Sequence, residues 1–259
     1  MKNPVRFVWK TISKSLVYLF FVLGSLTLIT AVYLTILLFV HSEKKSGKAM
    51  RYATHLTFRL MCSVMWGLGL VKVEISKADS KKLHRLRSTI VVANHPSLID
   101  ICILIGYLPQ ADCIVNAALF ERPVVRYVVK RLFVPNSMDF GQLLASCDES
   151  LKNGNCLVIF PEGSRTKPGI KSVIHKGSAR IALGTGRQIL PIHVETNDMR
   201  GLRKGDPFYR INEKGRYRYK YFIGEPLSPT DYADMPITIA SRKLNDDIRD
   251  RIFPDGQKI

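Results

Sequence analysis

From Val73 onward, short apolar runs rich in β-branched residues alternate with longer segments in which apolar residues recur at a helical spacing. This alternation is typical of an α/β fold in which buried strands are covered by helices. We therefore predict an α/β sandwich with an exposed, charged loop from Asn197 to Gly215. The predicted strands are Thr89–Ala93, Cys113–Val115, Cys156–Phe160, Ile189–Val194 and Arg216–Ile223. The predicted helices are Ser97–Gly106, Pro123–Arg131, Asp139–Asn153, Gly177–Gly184 and Pro236–Ile252.

The N-terminal part of the chain contains an apolar segment of a different kind. No charged residue occurs from Ser15 to Val40, and this run is long enough for a spanning helix, which needs about 20 residues. A secretory signal peptide is the alternative, but its apolar region is about half as long and ends at a small-residue cleavage site, which is not seen here. We expect residues 1–45 to form a membrane-embedded helical anchor. Basic residues flank the run on both sides, so the positive-inside rule leaves its orientation open.

A basic amphipathic segment follows the predicted anchor. The apolar stretch from Leu60 to Val71 is too short to span a membrane comfortably, but it could lie in one leaflet. We predict an interfacial helix over residues 46–75 and the α/β domain over residues 76–259. The alternative is an ordinary surface helix packed on that domain. The basic stripe of the predicted helix consists of Lys48, Arg51, His55 and Arg59.

Two polar stretches each follow an apolar run that forms a predicted strand. Loops at the carboxyl ends of such strands are where open α/β sheets place their chemistry. Both stretches are therefore candidate parts of one functional site. They are Val92-Ala93-Asn94-His95-Pro96-Ser97-Leu98-Ile99-Asp100 and Phe160-Pro161-Glu162-Gly163-Ser164-Arg165-Thr166.

In the first stretch, His95 and Asp100 can meet only if a helix begins between them. On one continuous helix with about 3.6 residues per turn, residues at this spacing point about 140° apart. Pro96 suits a helix entry and Ser97 suits an N-cap, so Asp100 in the first turn could fold back to His95. The alternatives are that Asp100 only completes a capping box with Ser97 and that His95 bonds to backbone. The spacing alone leaves these possibilities open.

The second stretch supplies groups that a lone base lacks. Arg165 offers a planar set of donors suited to phosphate. Gly163 allows the backbone to bend tightly or to approach a ligand closely. The alternative is an exposed turn with Glu162 and Arg165 in solvent.

Together, the two stretches resemble the glycerolipid acyltransferase superfamily, whose best known members are the 1-acylglycerol-3-phosphate acyltransferases. The resemblance rests on the His-x-x-x-x-Asp pattern of the first stretch and on the second stretch, in this order, and covers roughly Ile90 to Val194. It implies a mixed-sheet acyltransferase fold. Two later segments are also similar to the family pattern, Lys176-Gly177-Ser178-Ala179-Arg180-Ile181-Ala182-Leu183 and Leu190-Pro191-Ile192-His193-Val194.

The resemblance implies a general-base mechanism without a covalent enzyme intermediate. His95 would take the proton from an acceptor hydroxyl as its oxygen attacks the thioester of an acyl-CoA or acyl-carrier protein. Asp100 would hold the imidazole in the required tautomer and stabilise the imidazolium. No cofactor or metal is implied beyond this co-substrate. The residues that would bind and position the acceptor are Glu162, Gly163, Ser164 and Arg165.

The sequence departs from the family between the two stretches. Where relatives carry a lysine and later an arginine, this chain has Asn116 and Asn136. Such cations would grip a phosphomonoester head group, so their replacement leaves the acceptor open. Lysophosphatidic acid is the leading candidate. The alternatives are another lysophospholipid, an amino-acid lipid or a polyene lipid.

The formal net charge of +18 predicts an anionic membrane surface as a partner, because each Lys or Arg near such a surface contributes about 1 kcal/mol. Nucleic acid is the other partner that a basic chain suggests. We expect none, because the chain has no zinc-finger spacing or RNA-recognition motif.

The cysteines predict a reducing compartment, because they are odd in number, scattered and mostly within apolar runs. No pair has metal-ligand spacing. We assign no catalytic role to His41, His55, His84, His175 or His193, and the chain has no Gly-x-Ser-x-Gly elbow of a serine hydrolase.

These observations predict a membrane-bound acyltransferase at the cytoplasmic (inner) membrane, with its catalytic domain facing the cytoplasm. A different function class is also conceivable. A catalytically idle membrane scaffold would keep the fold and bind lipid or carrier protein. Its expected mark is a broken motif, and both principal motifs are intact.

Overall fold

A mixed β-sheet lies at the centre of the molecule. The computed structural model describes residues 4–97, 99–115, 132–136, 139–165, 173–197, 199–203, 205–206, 210, 212 and 215–254. Within these residues the sheet has seven strands in the order β1-β7-β6-β2-β5-β3-β4. The strands are β1 (Val71–Glu74), β2 (Ile90–Ala93), β3 (Ala111–Val115), β4 (Phe133–Pro135), β5 (Cys156–Ile159), β6 (Ile189–Thr196) and β7 (Tyr217–Ile223).

The direction of the strands changes once across the sheet. Strands β6, β2, β5, β3 and β4 are parallel to one another, whereas β7 is antiparallel to β6 and parallel to β1. The predicted mixed sheet is therefore confirmed. Because the parallel strands all end at one edge, the loops that follow β2 and β5 emerge side by side.

Helices precede the sheet and connect its strands. The α-helices in the described part of the chain are α1 (Pro4–Thr27), α2 (Leu34–Phe39), α3 (Glu43–Gly67), α4 (Lys77–Arg85), α5 (Asp100–Ile105), α6 (Phe140–Lys152), α7 (Gly177–Thr185) and α8 (Ile237–Ile252). A π-helical segment, Leu28–Tyr33, joins α1 to α2, and a 3-10 turn, Pro229–Tyr232, precedes α8.

Successive residues of the central strands pack into two different cores. In β2, Val91 and Ala93 contact the core that includes α3, α4 and α5, whereas Ile90 and Val92 contact the core that includes α6, α7 and α8. Each buried aliphatic side chain stabilises the fold by about 1.5–3 kcal/mol relative to exposure. Burial on both faces explains why these strands appear in the sequence as uninterrupted apolar runs.

All five predicted strands and four of the five predicted helices are present, with ends shifted by a few residues. The predicted helix Pro123–Arg131 lies outside the described residues. Among the described strands and α-helices, β1, β4 and α4 were not predicted. Strands β1 and β4 are short and lie at the sheet edges, so neither produces a long apolar run. Helix α4 did carry a signal, because Ser76 is its N-cap and accepts from the backbone N–H of Asp79.

The long N-terminal apolar run is divided between α1, the π-helical segment and α2. Among the residues with described positions, no helix combines the length and apolar character needed to cross a membrane. The predicted membrane-embedded anchor over residues 1–45 is therefore not supported. Helix α1 contains Lys10 and Lys14, and both side chains bond to backbone carbonyls of the loop before β7.

Helix α3 packs on the domain through part of its basic stripe, while Lys48 and Arg59 are exposed. Arg51 forms a two-bond ion pair with the buried Asp112 of β3, at 2.5 and 2.9 Å. The buried His55 bonds through Nδ1 to the carbonyl of Ile105 at 2.8 Å. The helix predicted over residues 46–75 thus begins at Glu43 and ends at Gly67, and β1 occupies the end of that range. Its interfacial role stays a prediction.

The predicted exposed loop from Asn197 to Gly215 is partly buried. Met199 and Asn212 are enclosed, at 2% and 0% exposure. Gly201 has a φ of +84° and packs directly against the backbone of Arg210. A Cβ atom added at Gly201 would lie 1.8 Å from the carbonyl oxygen of Arg210. Glycine is required there, because both the backbone conformation and the close contact exclude a side chain.

Candidate functional site

The loop that leaves β2 is fixed to the neighbouring strand by Asn94. Its Nδ2 donates to the carbonyl of Val194 at 2.9 Å, and its Oδ1 accepts from the N–H of Val194 at 2.7 Å. The side chain is buried. Asn94 thus pairs with the backbone of β6 beyond Ala93, where the β2–β6 pairing ends, and sets the direction in which His95 leaves the sheet.

His95 and Asp100 form a close pair. His95 Nδ1 lies 2.9 Å from Asp100 Oδ2, and the side chains are 18% and 0% exposed. Helix α5 begins at Asp100, so His95 lies outside it, as the geometric argument required. Ser97 is not the N-cap, because Ile99 holds that position without a side-chain cap bond. Instead, the N–H and the hydroxyl of Ser97 both donate to the Asp100 carboxylate, each at 2.7 Å.

The buried carboxylate of Asp100 is under opposing influences. Burial raises the pKa of Asp100, because the charged form loses its hydration, while the hydrogen bonds and charge of His95 and the bonds of Ser97 act to lower it. The carboxylate thus has three donors to replace water. An ionised Asp100 accepts the Nδ1 proton of His95, which leaves Nε2 as the acceptor nitrogen of a neutral imidazole.

The second polar stretch joins the first through two contacts. Glu162 is buried, and its Oε1 accepts from the backbone N–H of His95 at 2.8 Å. The ring of Phe160 stacks on the imidazole of His95 with centroids 4.2 Å apart. These contacts bring the loops after β2 and β5 together, and they give Glu162 a direct structural link to His95 that the sequence did not predict.

The remaining predicted site residues lie in the turn after β5. Gly163 has φ of +64°, and a Cβ there would lie 3.4 Å from the ring of His175. Ser164 and Arg165 are half-buried, and Arg165 Nη1 donates to the carbonyl of Leu202 at 3.2 Å. Because a guanidinium has five N–H groups, this bond leaves donors for an anionic ligand.

The sequence analysis also singled out two asparagines and the cysteines. Asn136 is exposed in the turn after β4, and Asn116 lies outside the described residues. All five cysteines are free thiols. Cys102 is close to Asp100 in the sequence, but burial raises the pKa of its thiol to about 12, which makes it a poor nucleophile at neutral pH.

The sequence reasoning missed one residue near the pair. Tyr219 of β7 is fully buried, and its hydroxyl lies 2.7 Å from Ser97 Oγ. The only local signal was the alternation of Tyr217, Tyr219 and Tyr221 along the strand, which puts the three side chains on one face. Nothing in that alternation indicates which distant loop the face meets.

The assembled groups are suited to general-base chemistry. They comprise a histidine held by a carboxylate in one tautomer, with an arginine on the adjoining turn. A histidine so held can accept a proton at Nε2 from a hydroxyl. The arginine donors suit a phosphate.

Comparisons with known proteins identify chains that are similar to this one. A family model described as Acyltransferase matches residues 73–195. The 1-acyl-sn-glycerol-3-phosphate acyltransferase of Helicobacter pylori is 31% identical over 153 residues, which are 56% of this chain and 60% of that protein. The chloroplastic 1-acyl-sn-glycerol-3-phosphate acyltransferase BAT2 of Brassica napus is 30% identical over 128 residues, 45% of this chain and 36% of that protein. Less than two thirds of each relative is therefore matched.

A solved structure also has the same fold. The 1-acyl-sn-glycerophosphate (LPA) acyltransferase PlsC from Thermotoga maritima superimposes with a TM-score of 0.67, covering 96% of this chain and 98% of that chain. Its sequence identity is 24%, so this likeness concerns the fold. The family match includes both polar stretches and the strands that carry them.

Proposed function

We propose that this chain, which is similar to acyltransferases in sequence and fold, is a member of the glycerolipid acyltransferase superfamily and transfers a fatty acyl group to the hydroxyl of a lysophospholipid. The donor is an acyl-CoA or an acyl-carrier protein. The leading acceptor is 1-acyl-sn-glycerol-3-phosphate, which gives phosphatidic acid, and the names of the relatives support this choice. The observation that carries the proposal is the 2.9 Å contact between His95 and Asp100 within this fold.

In the proposed reaction, His95 is the general base. Its Nε2 takes the proton of the acceptor hydroxyl while the oxygen attacks the thioester carbonyl. The new C–O bond forms, the C–S bond breaks, and the thiol leaves with the proton returned by His95. Asp100 keeps the Nδ1 proton in place and stabilises the imidazolium. A correctly placed base contributes on the order of 10²- to 10⁴-fold to the rate.

The turn after β5 holds the acceptor in this proposal. Arg165 binds the phosphate through its planar donors, and Gly163 keeps the turn backbone open to the ligand. Ser164 lies between them. Glu162 acts through His95, because its carboxylate holds the backbone N–H of the base.

We also propose that the protein associates with a membrane surface through exposed apolar residues of its first three helices. On α1 these residues recur every three or four positions, so they form one stripe. Together they define the apolar face. The apolar face consists of Val8, Trp9, Ile12, Leu16, Leu19 and Leu23 on α1, Leu34, Leu38 and Phe39 on α2, and Leu56, Leu60 and Trp66 on α3.

Exposed apolar surface on a basic protein is typical of proteins that lie on anionic membranes. With a formal net charge of +18, the attraction to such a surface is strong. The five free cysteines favour a reducing compartment. We therefore propose the cytoplasmic face of the inner membrane as the location.

One observation favours a different lipid acceptor. Asparagines occupy positions 116 and 136, where cations would help to bind a phosphomonoester. Another lysophospholipid, an amino-acid lipid or a polyene lipid would use the same pair of residues in the same reaction. A product assay across these acceptors distinguishes them.

The test is acyl transfer to lysophosphatidic acid from labelled palmitoyl-CoA and, separately, from palmitoyl-carrier protein. We expect activity in the wild type and a loss of at least about 10²-fold in His95→Ala, because the base is removed. His41→Ala is the matched control, since His41 is exposed after α2, and it should keep full activity.

The outcomes separate the alternatives. If folded wild-type protein acylates another lipid but not lysophosphatidic acid, the acceptor assignment is wrong and the chemistry stands. If it acylates none of the lipids with either donor, the chain is an idle scaffold. Undiminished activity in His95→Ala would show that His95 is not the general base.

A further inference from the structure

A chain of hydrogen bonds connects the His95–Asp100 pair to the interior of the sheet. The hydroxyl of Tyr219 in β7 lies 2.7 Å from Ser97 Oγ. The Ser97 hydroxyl lies 2.7 Å from Asp100 Oδ1, and Asp100 Oδ2 lies 2.9 Å from His95 Nδ1. Tyr219, Ser97 and Asp100 are all completely buried, so no water competes for these contacts.

The direction of the chain follows from counting protons. A serine hydroxyl has one proton, and Ser97 gives it to Asp100 Oδ1. Tyr219 must therefore donate to Ser97 Oγ. Burial raises the pKa of Tyr219 well above its usual value, which keeps the phenol protonated at every pH that the enzyme would meet.

We propose that Tyr219 is a positioning residue for acyl transfer, which acts through Ser97 on Asp100 and through Asp100 on His95. The inference rests on the proposed function, because it assigns a part in that reaction to a residue of another element. Tyr219 lies outside the residues matched by the family model. It touches neither substrate nor base in this role.

The physical reason is the charge of the pair. With Asp100 ionised and His95 neutral, the pair carries one negative charge, and with one more proton it carries none. Donors that point toward Asp100 stabilise the charged state more than the neutral one. Loss of the Tyr219 proton donor weakens this effect and leaves the Ser97 hydroxyl less firmly oriented. The apparent pKa of the pair should therefore rise.

The surroundings of Asp100 allow a clean comparison. In the described part of the chain, the titratable groups that act on it or on its partner are His95 and Glu162 from the two loops, Cys102 from α5, and Tyr219 and Tyr221 from β7. Tyr221 is on the same strand and face as Tyr219 and is also buried, but its hydroxyl has no hydrogen-bond partner among the described residues. Tyr221→Phe is therefore the matched control for Tyr219→Phe.

The experiment measures kcat/KM against pH for the wild type and both variants with the acceptor and donor that give activity. We expect Tyr219→Phe to lower kcat/KM about two- to tenfold, which corresponds to one hydrogen bond. Its acid limb should move to higher pH by about half a unit. Tyr221→Phe should stay within about twofold of the wild type, with an unmoved acid limb.

A double-variant cycle tests the route through Ser97. If Tyr219 acts through Ser97, Tyr219→Phe should have no further effect on kcat/KM or on the acid limb in a Ser97→Ala background. The proposal is overturned if the effects of the two substitutions are simply additive. It is also overturned if Tyr219→Phe and Tyr221→Phe behave alike.

A readout without substrate separates this inference from the proposed function. Histidine-labelled protein allows the titration of His95 to be followed by NMR, with the signal assigned by its absence in His95→Ala. A raised midpoint in Tyr219→Phe alone supports the connection even if no lipid is acylated. Equal midpoints in the wild type and Tyr219→Phe would refute the connection even in an active enzyme.

Discussion

At the scale of single residues, the site depends on side chains that bind backbone groups. Asn94 satisfies both the N–H and the carbonyl of Val194, and Glu162 accepts from the N–H of His95. All of these groups are buried or half-buried. An unpaired buried polar group costs about 1–3 kcal/mol, so these side chains stabilise one path of the loop over others.

Replacement of Asn94 should therefore destabilise the protein more than its size suggests. Asn94→Ala leaves the N–H and carbonyl of Val194 without their side-chain partners, and we expect the free energy of unfolding to fall by about 2–4 kcal/mol. Urea denaturation followed by circular dichroism measures the change. The control is Asn136→Ala, whose side chain is exposed and whose effect should stay within about 0.5 kcal/mol. Equal effects of the two substitutions would contradict the role given to Asn94.

At the scale of elements, α1 is tied to the loop before β7 by two ammonium groups. Lys10 Nζ donates to the carbonyls of Asn212 and Gly215, and Lys14 Nζ donates to those of Gly201 and Arg210 at 2.9 and 2.8 Å. Burial lowers the pKa of Lys14, with the charge of Asp206 acting in the opposite direction. The same loop contains Leu202, whose carbonyl accepts from Arg165, so α1 is connected through this loop to the turn after β5.

Removal of these ammonium groups should loosen the loop. In Lys10→Met/Lys14→Met, we expect trypsin to cleave after Arg200 or Arg203 about tenfold faster under native conditions, because bonds to charged donors are among the stronger ones. Mass spectrometry of timed digests identifies the sites. Lys44→Met/Lys45→Met is the control, since both of these lysines are exposed at the start of α3. Unchanged cleavage in the first variant would show that the loop is held by its other contacts.

At the scale of the whole molecule, the positive charge and the apolar face both favour binding to an anionic membrane surface. The charge attracts the protein to anionic lipid over a distance of about 10 Å at moderate salt, whereas the apolar face acts only on contact. The two contributions can be separated, because salt screens the first and leaves the second largely unchanged.

We expect the protein to bind vesicles of phosphatidylcholine with phosphatidylglycerol more tightly than phosphatidylcholine alone, and the difference to shrink in high salt. Leu38→Gln/Phe39→Gln removes two side chains that are 71% and 78% exposed, and should weaken binding to both vesicle types about tenfold or more. Vesicle flotation measures the bound fraction. The control is Ile237→Gln/Ile239→Gln on α8, where two exposed apolar residues lie outside the apolar face. Equal losses in both variants would show that the apolar face has no special part in binding.

Local patterns in the sequence were sufficient for the central strands and four of the five predicted helices, and they allowed the approach of Asp100 to His95 without requiring it. The reason is physical: strands buried on both faces need continuous apolar runs, and the pair spans a single loop-to-helix turn. Thr89 to Val92 and Cys156 to Phe160 thus indicated both strands and the loops that follow them.

Contacts between distant segments decided the rest. The short edge strands β1 and β4 are defined by their neighbours, and two members of the α3 stripe face the domain because Asp112 lies across from Arg51 and the carbonyl of Ile105 accepts from His55. The bonds of Glu162 to His95, of Lys10 to the loop before β7 and of Tyr219 to Ser97 join residues far apart in the chain. Such contacts leave no periodic trace in the sequence, because each depends on where two separate elements meet in the folded molecule.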